Sequence, residues 1–445
     1  MRKPIYLPIV LGFVLVLFIL GHRSAALAKG ATVQLTGLEA LGKAIFYDPN
    51  LAVNGTQSCA TCHAPQVGFT GPNSLVNAGG AVYPGAIPTR FGNRKPPASA
   101  YAGDSPLLHF DGARGGWFGG MFWDGRATGA ILGDPLAEQA QGPFLNPLEQ
   151  AIPDAEELCN KVKQANYAGL FEAVWGSGSL NCDEDVNGVY ERIGRSVAAY
   201  ERSAEVNLFS SKFDKFWDRA KAARKDVTKI KCGMGGGGMG GAMGCGGSGT
   251  NGWWSYRNLG FSDAELQGLA VFNDRAKCSS CHSLQPGPAG YPSFTDFGYD
   301  NLGIPKNPAN PFYTMPAEWN PDGANWVDYG LGGFLKSAGY SPGVYEPEMG
   351  KHKAPTLRNV DLRPSSGFVK AYGHNGYFKS LKEIVTFYHW RAMMDGGCMG
   401  GCGMGEMFPP PEVDQNRATL SMFPKPQIDN IVAFLKTLSD GYFAR

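Results

Sequence analysis

The chain has 445 residues, 43% of them hydrophobic, so it is long enough to bury two or three cores. Its 40 Lys and Arg residues balance 39 Asp and Glu residues, which gives a net charge of +1. Because there is neither a basic run nor an acidic tail, this balance argues against nucleic acid as a partner.

The first 28 residues have the composition of an export signal. Arg2 and Lys3 precede an apolar run over 5–20, and Ala26 and Ala28 supply the small residues of a cleavage site. The run is short for a membrane span, so we expect cleavage near Ala28, with a retained membrane anchor as the alternative. Both outcomes predict an exported protein, in the periplasm or at the cell surface.

Two C-x-x-C-H motifs give the strongest chemical signal. They consist of Cys59, Cys62, His63, Cys278, Cys281 and His282. This pattern is typical of covalent c-type haem, in which the thiols bind the porphyrin and the His binds iron. A zinc site or a redox cysteine pair is the alternative for each motif, but the His directly after the second Cys favours haem.

A helix is predicted shortly before each motif, because residues 35–46 (LTGLEALGKAIF) align without gaps with residues 261–272 (FSDAELQGLAVF). Each segment opens with a capping box, a hydroxyl residue followed three positions later by Glu. The repeat predicts two cytochrome c-like haem domains. With 62 Gly and 31 Pro residues, the expected fold is mainly α with long Gly/Pro-rich loops.

Composition also sets the expected domain boundaries. Residues 29–225 form the predicted N-terminal haem domain, which ends in connector helices over 188–225, where apolar residues recur at helical spacing without Pro. A Gly/Met-rich insertion follows over 226–257. Residues 258–445 form the predicted C-terminal haem domain, which includes a second Gly/Met/Cys-rich loop at 393–407.

Six cysteines lie outside the two haem motifs, an even number that favours disulfides in an exported protein. One expected pair is Cys159 with Cys182. The others lie within or between the two Gly/Met tracts and involve Cys232, Cys245, Cys398 and Cys402. A Cu(I) site built from Cys and Met sulfurs is the alternative for these tracts.

Longer blocks resemble the bacterial di-haem cytochrome c peroxidase family, which includes the MauG-type enzymes. The blocks include LGKAIFYDP, MFWDGRATG, LAEQAQGPFLNPLEQ, APTLRNVDL and GHNGYFKSLKEIVTFY, and the similarity covers nearly all of residues 35–440. The resemblance implies two covalently bound haem c groups and reduction of hydrogen peroxide to water. It also implies a small cytochrome or copper protein as electron donor, and members often form homodimers.

The resemblance further implies roles for four residues. Cleavage of peroxide needs an acid–base group beside the iron, and Glu149 matches the family's carboxyl there, with Gln139 as its neighbour. Trp123 matches an aromatic residue that relays electrons between the haems, and Asn93 matches a calcium ligand. The alternatives are a solvated carboxylate for Glu149 and a core indole for Trp123.

Two departures from the family pattern concern the iron ligands. The classical peroxidases have a capping His shortly after the first motif, whereas here the next one is His109, in an apparent insertion; we expect it at the surface, with a distal ligand as the alternative. The sixth ligand of the second haem matches Tyr388, with His389, a nearby Met or no protein ligand as alternatives. The N-terminal haem is therefore predicted to be open.

The sequence thus predicts a di-haem peroxidase in which peroxide reacts at the N-terminal haem. Electrons would arrive through the C-terminal haem and Trp123. One alternative is a MauG-type oxidase that modifies residues of a partner protein, which Tyr388 and the missing distal His favour. The other alternative is a non-catalytic di-haem electron carrier.

Overall fold

The computed structural model describes residues 33–233, 245–246, 249–395 and 408–442, which belong to one compact unit. The helices of its first half are α1 (Gly37–Tyr47), α2 (Cys59–Cys62), α3 (Ser74–Ala78), α4 (Pro135–Leu145), α5 (Ala155–Gln164), α6 (Ala168–Trp175), α7 (Val186–Arg202) and α8 (Lys212–Ala222). Those of its second half are α9 (Asp263–Ala270), α10 (Gly330–Ser337), α11 (Pro342–Tyr345), α12 (Leu381–Asp395) and α13 (Gln427–Lys436).

Strand content within the described ranges is small. Two antiparallel pairs are formed, by β1 (His109–Asp111) with β2 (Gly116–Phe118) and by β3 (Tyr299–Asp300) with β4 (His352–Lys353). The mainly helical architecture that the sequence predicts is therefore confirmed. The predicted connector also forms two helices, α7 and α8.

Both predicted capping boxes are present. The main-chain N–H of Thr36 donates to the Glu39 carboxylate at 2.7 Å, and the Thr36 side chain accepts from the Glu39 N–H. Ser262 and Glu265 repeat this arrangement at the start of α9, again at 2.7 Å. Each box satisfies free N–H groups of the first helical turn, which fixes where the helix before each motif begins.

The repeat extends to the way each of these helices packs. A Cβ atom at Gly42 on α1 would lie 1.8 Å from the main-chain oxygen of Ser196 on α7. A Cβ atom at the equivalent Gly268 on α9 would lie 1.9 Å from that of Asn430 on α13. Any larger side chain would therefore clash with a neighbouring backbone, so the two aligned glycines allow the same close helix crossing in both halves.

Two large hydrophobic clusters form the core. The first draws its buried residues from 41–206 and contacts Cys59, and the second draws from 213–438 and contacts Cys278. Helix α8 belongs to the second cluster, where Phe213 meets Phe294 edge to face with ring centroids 4.9 Å apart. The chain therefore passes from the first cluster to the second between α7 and α8, within the predicted connector.

The apparent insertion that precedes Trp123 contains the β1–β2 hairpin, which packs against the second half of the chain. Phe118 forms an isolated bridge with Gly298, directly before β3. His109 is exposed on β1, and its Nδ1 lies 2.8 Å from the main-chain oxygen of Leu107. The predicted surface position of His109 is therefore confirmed.

Two of the expected disulfides are present, Cys159–Cys182 and Cys232–Cys245. Cys398, Cys402 and the predicted export signal lie outside the described residues. No helix within the described ranges combines the length and the hydropathy needed to cross a membrane.

Candidate functional site

The first motif lies on and directly after α2. Cys59 and Cys62 are free of disulfides, and His63 ends the helix with its Nδ1 3.2 Å from the main-chain oxygen of Phe69. Burial, assisted by the charge of Lys95, lowers the pKa of His63 to about 4. The ring is therefore neutral, and because Nδ1 donates to a carbonyl, its Nε2 keeps a lone pair for iron.

Glu149 lies beside this motif, in the segment between α4 and α5. Asn146 Nδ2 donates to its Oε1 at 2.9 Å, and the Glu149 main-chain oxygen accepts from the Ala86 N–H at 2.7 Å. The negative charge of Glu149 raises the pKa of the Cys62 thiol, after burial itself, which places the carboxyl close to the motif. The position is half-buried, so the carboxylate is not a solvated surface group.

Two opposing effects set the acidity of Glu149. Burial raises its pKa above the ordinary value for a Glu, while the positive charge of Arg126 and the bond from Asn146 lower it. Arg126 is held by Asp124 at 2.9 Å, and its guanidinium carbon lies 3.7 Å from the ring centroid of Phe122. A carboxyl whose pKa is raised accepts a proton more readily than an ordinary Glu and can then return it.

Gln139 is half-buried on α4, ten residues before Glu149. Among the contacts of the described residues, none ties its side chain to the carboxyl, so its role stays a prediction. Arg126 was not predicted from sequence. In the sequence, Arg126 stands three residues after Trp123. That spacing does not indicate a contact with Glu149, which lies 23 residues further along the chain.

The second motif opens on a cavity of about 1020 Å³, called here the C-terminal cavity. Its lining includes Cys278, Cys281, His282, Trp123 and Tyr388. This volume lies at the upper end of the range of about 300–1,000 Å³ for ligand and cofactor sites. Both thiols are free of disulfides, and His282 Nδ1 lies 3.1 Å from the main-chain oxygen of Phe294, so the residues fit a covalently bound haem.

Tyr388 extends from α12 into the C-terminal cavity. Burial raises the pKa of its phenol, and the nearby Cys278 and Cys281 raise it further. His389, the adjacent residue, is instead buried with its Nδ1 2.7 Å from the main-chain oxygen of Phe423, and it is not among the residues that line the cavity. Of the two candidates, Tyr388 is the one that faces the second motif.

Trp123 contacts Lys95 and lines the C-terminal cavity. Its indole N–H donates to the main-chain oxygen of Lys95 at 2.8 Å, and only 8% of the residue is exposed. Lys95 is close enough to His63 to lower its pKa, while Trp123 lines the cavity of His282. The core position of this indole is therefore confirmed, and its role as a relay between the two sites stays a prediction.

A polar cluster on the cavity lining was missed by sequence reasoning. Asp328 lies 3.2 Å from His352 Nε2 and 3.9 Å from His374 Nε2, and the two imidazoles stack with centroids 3.6 Å apart. Arg94 bonds both carboxylate oxygens of Asp328 at 2.7 Å. These residues are distant in sequence and share no motif, so no spacing could have revealed the cluster.

Asn93, which the resemblance implies as a calcium ligand, directly precedes Arg94 of this cluster. The main-chain oxygen of Asn93 accepts from Asn310 Nδ2 at 2.9 Å. The neighbouring cluster offers imidazole nitrogens and a carboxylate already paired with Arg94, whereas calcium takes oxygen ligands. Calcium therefore stays a prediction that rests on the resemblance.

Comparison with known proteins assigns the family. The family model described as di-haem cytochrome c peroxidase matches residues 37–222. The methylamine utilization protein MauG of Paracoccus denitrificans is 31% identical over 94% of this chain and 92% of that protein. The chain belongs to the di-haem cytochrome c peroxidase family. Its members act as oxidoreductases, and the predicted resemblance is confirmed.

Other members of the di-haem cytochrome c peroxidase family resemble the chain over most of its length. Cytochrome c551 peroxidase of Nitrosomonas europaea is 25% identical over 92% of this chain and 82% of that protein. The crystal structure of the diheme peroxidase BthA from Burkholderia thailandensis has a TM-score of 0.65 and 27% identity, covering 93% and 89% of the two chains. Relatives named MauG and relatives named peroxidase both match, so the site residues must separate the two activities.

Proposed function

We propose that the chain is an exported peroxidase that reduces hydrogen peroxide to water at the first motif. The observation that carries this proposal is the half-buried carboxyl of Glu149 beside Cys62, with a pKa that burial raises and Arg126 restrains. An electron carrier needs no acid–base group of this kind. Peroxide cleavage needs one, because a proton must leave one oxygen and reach the other.

In this proposal the protein residues manage the proton. When bound at His63, a haem would supply the iron that meets peroxide and the electrons that reduce it. The Glu149 carboxylate takes the proton from the peroxide oxygen that approaches the iron and delivers it to the departing oxygen, which leaves as water. The Asn146 amide, 2.9 Å from Oε1, fixes the carboxyl, while the charge of Arg126 opposes the rise in pKa that burial causes.

Electron delivery involves the C-terminal cavity. His282 and Tyr388 would hold the second haem, and a phenolate ligand favours higher oxidation states of iron. Trp123 and the carbonyl of Lys95, joined by a 2.8 Å hydrogen bond, would conduct electrons towards His63. Two electrons are needed for each peroxide, and the donor would be a small cytochrome or copper protein.

A MauG-type oxidase is the second candidate. Tyr388 faces the second motif, and the exposed position of His109, with its Nδ1 at the Leu107 main-chain oxygen, supports an uncapped first motif. Both features favour an oxidised di-haem state that persists long enough to oxidise a partner protein. Glu149 serves peroxide cleavage in both candidates, so they differ in where the oxidising equivalents go: to a small redox donor in the peroxidase, and to residues of a partner protein in the MauG-type oxidase.

The remaining proposals follow the resemblance. They are two cytochrome c-like haem domains, one around each motif, two covalently bound haem c groups, calcium bound through Asn93, a periplasmic or surface location and a homodimer. The near-zero net charge of +1 leaves recognition of the donor to local surface features rather than to overall charge.

The deciding experiment measures peroxide consumption with reduced cytochrome c. In the haem-loaded protein, Glu149→Gln should lower kcat/KM by about 10²–10⁴ with unchanged haem content. Glu157→Gln, an exposed carboxylate paired with Lys161 on α5, serves as the matched control. Slow turnover with a long-lived oxidised spectrum would favour the MauG-type reading. Full turnover by Glu149→Gln would remove the basis of the proposal.

A further inference from the structure

Two oxidisable aromatic rings connect the C-terminal cavity with the protein surface. Trp117, on β2, lines the same cavity as Cys281 and His282 and is only 9% exposed. Its ring meets that of Tyr340 edge-on, with centroids 5.7 Å apart and an interplanar angle of 90°. Tyr340, which follows α10, is 44% exposed. The pair therefore spans from the haem cavity to solvent.

The hairpin that carries Trp117 is fixed to the segment that follows the second motif. Arg114 pairs with Asp296 at 2.6 Å and lies 3.5 Å from the ring centroid of Phe118. The main-chain N–H of Asp296 donates to the oxygen of Cys281 at 2.8 Å. The Arg114–Asp296 ion pair and the Asp296–Cys281 main-chain bond thus link the hairpin to the second motif. These two interactions set the position of Trp117 relative to that motif.

We propose that Tyr340 and Trp117 form an electron relay from a donor protein into the C-terminal haem site. The proposal rests on the proposed function, because it requires a haem pair that peroxide oxidises. Trp and Tyr side chains lose an electron far more readily than Phe, so a strongly oxidised haem pair can draw electrons through them. Trp123 serves the step between the two sites, whereas Trp117 serves the step to the surface.

Electrons and protons are conserved in each step of the proposed relay. Trp117 would give one electron to the oxidised haem pair and regain one from Tyr340, whose exposed phenol would release its proton to water. A small redox protein then gives one electron to Tyr340, which regains a proton from solvent. Two such transfers match the two electrons that one peroxide consumes, and the donor loses those two electrons.

Phe110 is a third ring next to Trp117, but it is not assigned to the relay. It pairs with Trp117 across the hairpin, with centroids 5.9 Å apart, and is 55% exposed. Its geometry and exposure resemble those of Tyr340, but a phenyl ring is too hard to oxidise for this role. Phe110→Leu should therefore leave electron entry unchanged.

The first test follows electron entry into the haem-loaded protein after one equivalent of peroxide. Trp117→Phe and Tyr340→Phe should each slow oxidation of reduced cytochrome c by about tenfold or more, while reduction by dithionite, which can reach the haem directly, stays at the wild-type rate. Tyr329→Phe is the matched control, since Tyr329 is also 44% exposed and adjoins the other end of α10. Wild-type rates in both relay variants would overturn the proposal.

The second test needs no turnover. Peroxide is added without donor, and oxidised residues are mapped by peptide mass spectrometry, with a radical signal followed by EPR. Oxidation should concentrate on Tyr340 relative to Tyr329 and should fall to the Tyr329 level in Trp117→Phe. Equal oxidation of the two tyrosines in the wild type would refute the relay. Should Trp117→Phe bind haem poorly, Tyr340→Phe still decides, because its exposed ring can lose a hydroxyl without disturbing the core.

The two tests separate failure of the relay from failure of the proposed function. A wild-type protein that does not oxidise cytochrome c with peroxide contradicts the peroxidase. In that case concentrated oxidation of Tyr340 would still support a relay, now of the kind that a protein-oxidising enzyme uses. If the wild type oxidises cytochrome c with peroxide and neither Trp117→Phe nor Tyr340→Phe slows this reaction, the relay is contradicted and the proposed peroxidase is not.

Discussion

Trp123 donates its indole N–H to the main-chain oxygen of Lys95 at 2.8 Å. This bond joins the lining of the C-terminal cavity to the segment that adjoins His63, since Lys95 also lowers the pKa of that His. The residue is 8% exposed, so its indole is packed almost entirely against protein.

Replacing Trp123 by Phe should slow electron transfer between the two haem sites. Phe keeps most of the buried ring but removes both the oxidisable indole and the N–H that bonds Lys95. We expect the internal transfer rate, followed by absorbance after peroxide meets half-reduced protein, to fall by about tenfold or more. Trp254→Phe, at a 43% exposed Trp, is the control, and an unchanged rate in Trp123→Phe would leave Trp123 a packing residue.

The raised pKa of Glu149 predicts an acid limb in the pH profile of kcat/KM. The carboxylate is the reactive form, so activity is lost as pH falls through the pKa, and burial places this limb above the ordinary Glu value of about 4.3. Because Arg126 lowers that pKa, Arg126→Gln should move the limb to higher pH. Glu149→Gln should remove the limb together with most of the activity.

A control separates this effect from a general loss of positive charge. Arg192 lies on α7 and pairs at 2.8 Å with Asp185, which directly precedes that helix. Arg192→Gln should leave the acid limb of the pH profile in place. A limb that moves equally in both Arg variants, or that persists in Glu149→Gln, would assign it to another group.

Tyr388 should control the spectrum of the C-terminal haem. With a phenolate ligand lost in Tyr388→Phe, the low-spin ferric signal of the oxidised protein should convert to high-spin in EPR, whereas Tyr388→Met should raise the reduction potential. His389→Asn should leave the signal unchanged, because the ring of His389 bonds the Phe423 main-chain oxygen. A signal lost in His389→Asn and retained in Tyr388→Phe would reverse the assignment.

Local patterns account for what the sequence could predict. The capping boxes at Thr36 and Ser262 depend on residues three positions apart, and the packing of Gly42 and Gly268 follows the same aligned repeat. The capping boxes are readable because the interacting residues lie three positions apart, whereas the partners of the two glycines, Ser196 and Asn430, lie more than 150 residues away and could not be read from the repeat. The even number of cysteines outside the haem motifs predicted disulfides, and Cys159–Cys182 was predicted as a pair, but the partners of Cys232 and Cys245 were left open within or between the two Gly/Met tracts.

Long-range pairing accounts for what the sequence could not predict. Arg94 meets Asp328 across 234 positions, and His352 stacks on His374. Nothing in the spacing of these residues distinguishes them from surface charges. The packing of α8 in the second cluster could not be predicted either. Its amphipathic pattern indicates that one face is buried, but it does not identify the residues that cover that face.

The partner of α8 leads to a prediction about stability. Arg358 and Asp214 form an ion pair with side chains 0% and 1% exposed, in which Nη1 donates to both carboxylate oxygens at 2.7 and 2.8 Å. Asp214 also accepts from the Ser211 hydroxyl at 2.7 Å in the capping box of α8. Asp214→Asn would leave the Arg358 charge buried without its counter-ion. The expected loss is about 3–5 kcal/mol in the free energy of unfolding, measured with urea.

Two further variants make this prediction specific to the buried charge. Asp263→Asn breaks the exposed pair with Arg257 and should leave the unfolding midpoint unchanged, since solvent screens such pairs. Adding Arg358→Met to Asp214→Asn should restore part of the lost stability, because removal of both charges ends the desolvation penalty. If the double variant unfolds as easily as Asp214→Asn alone, the loss comes from the α8 cap that Asp214 forms with Ser211 and not from the stranded guanidinium.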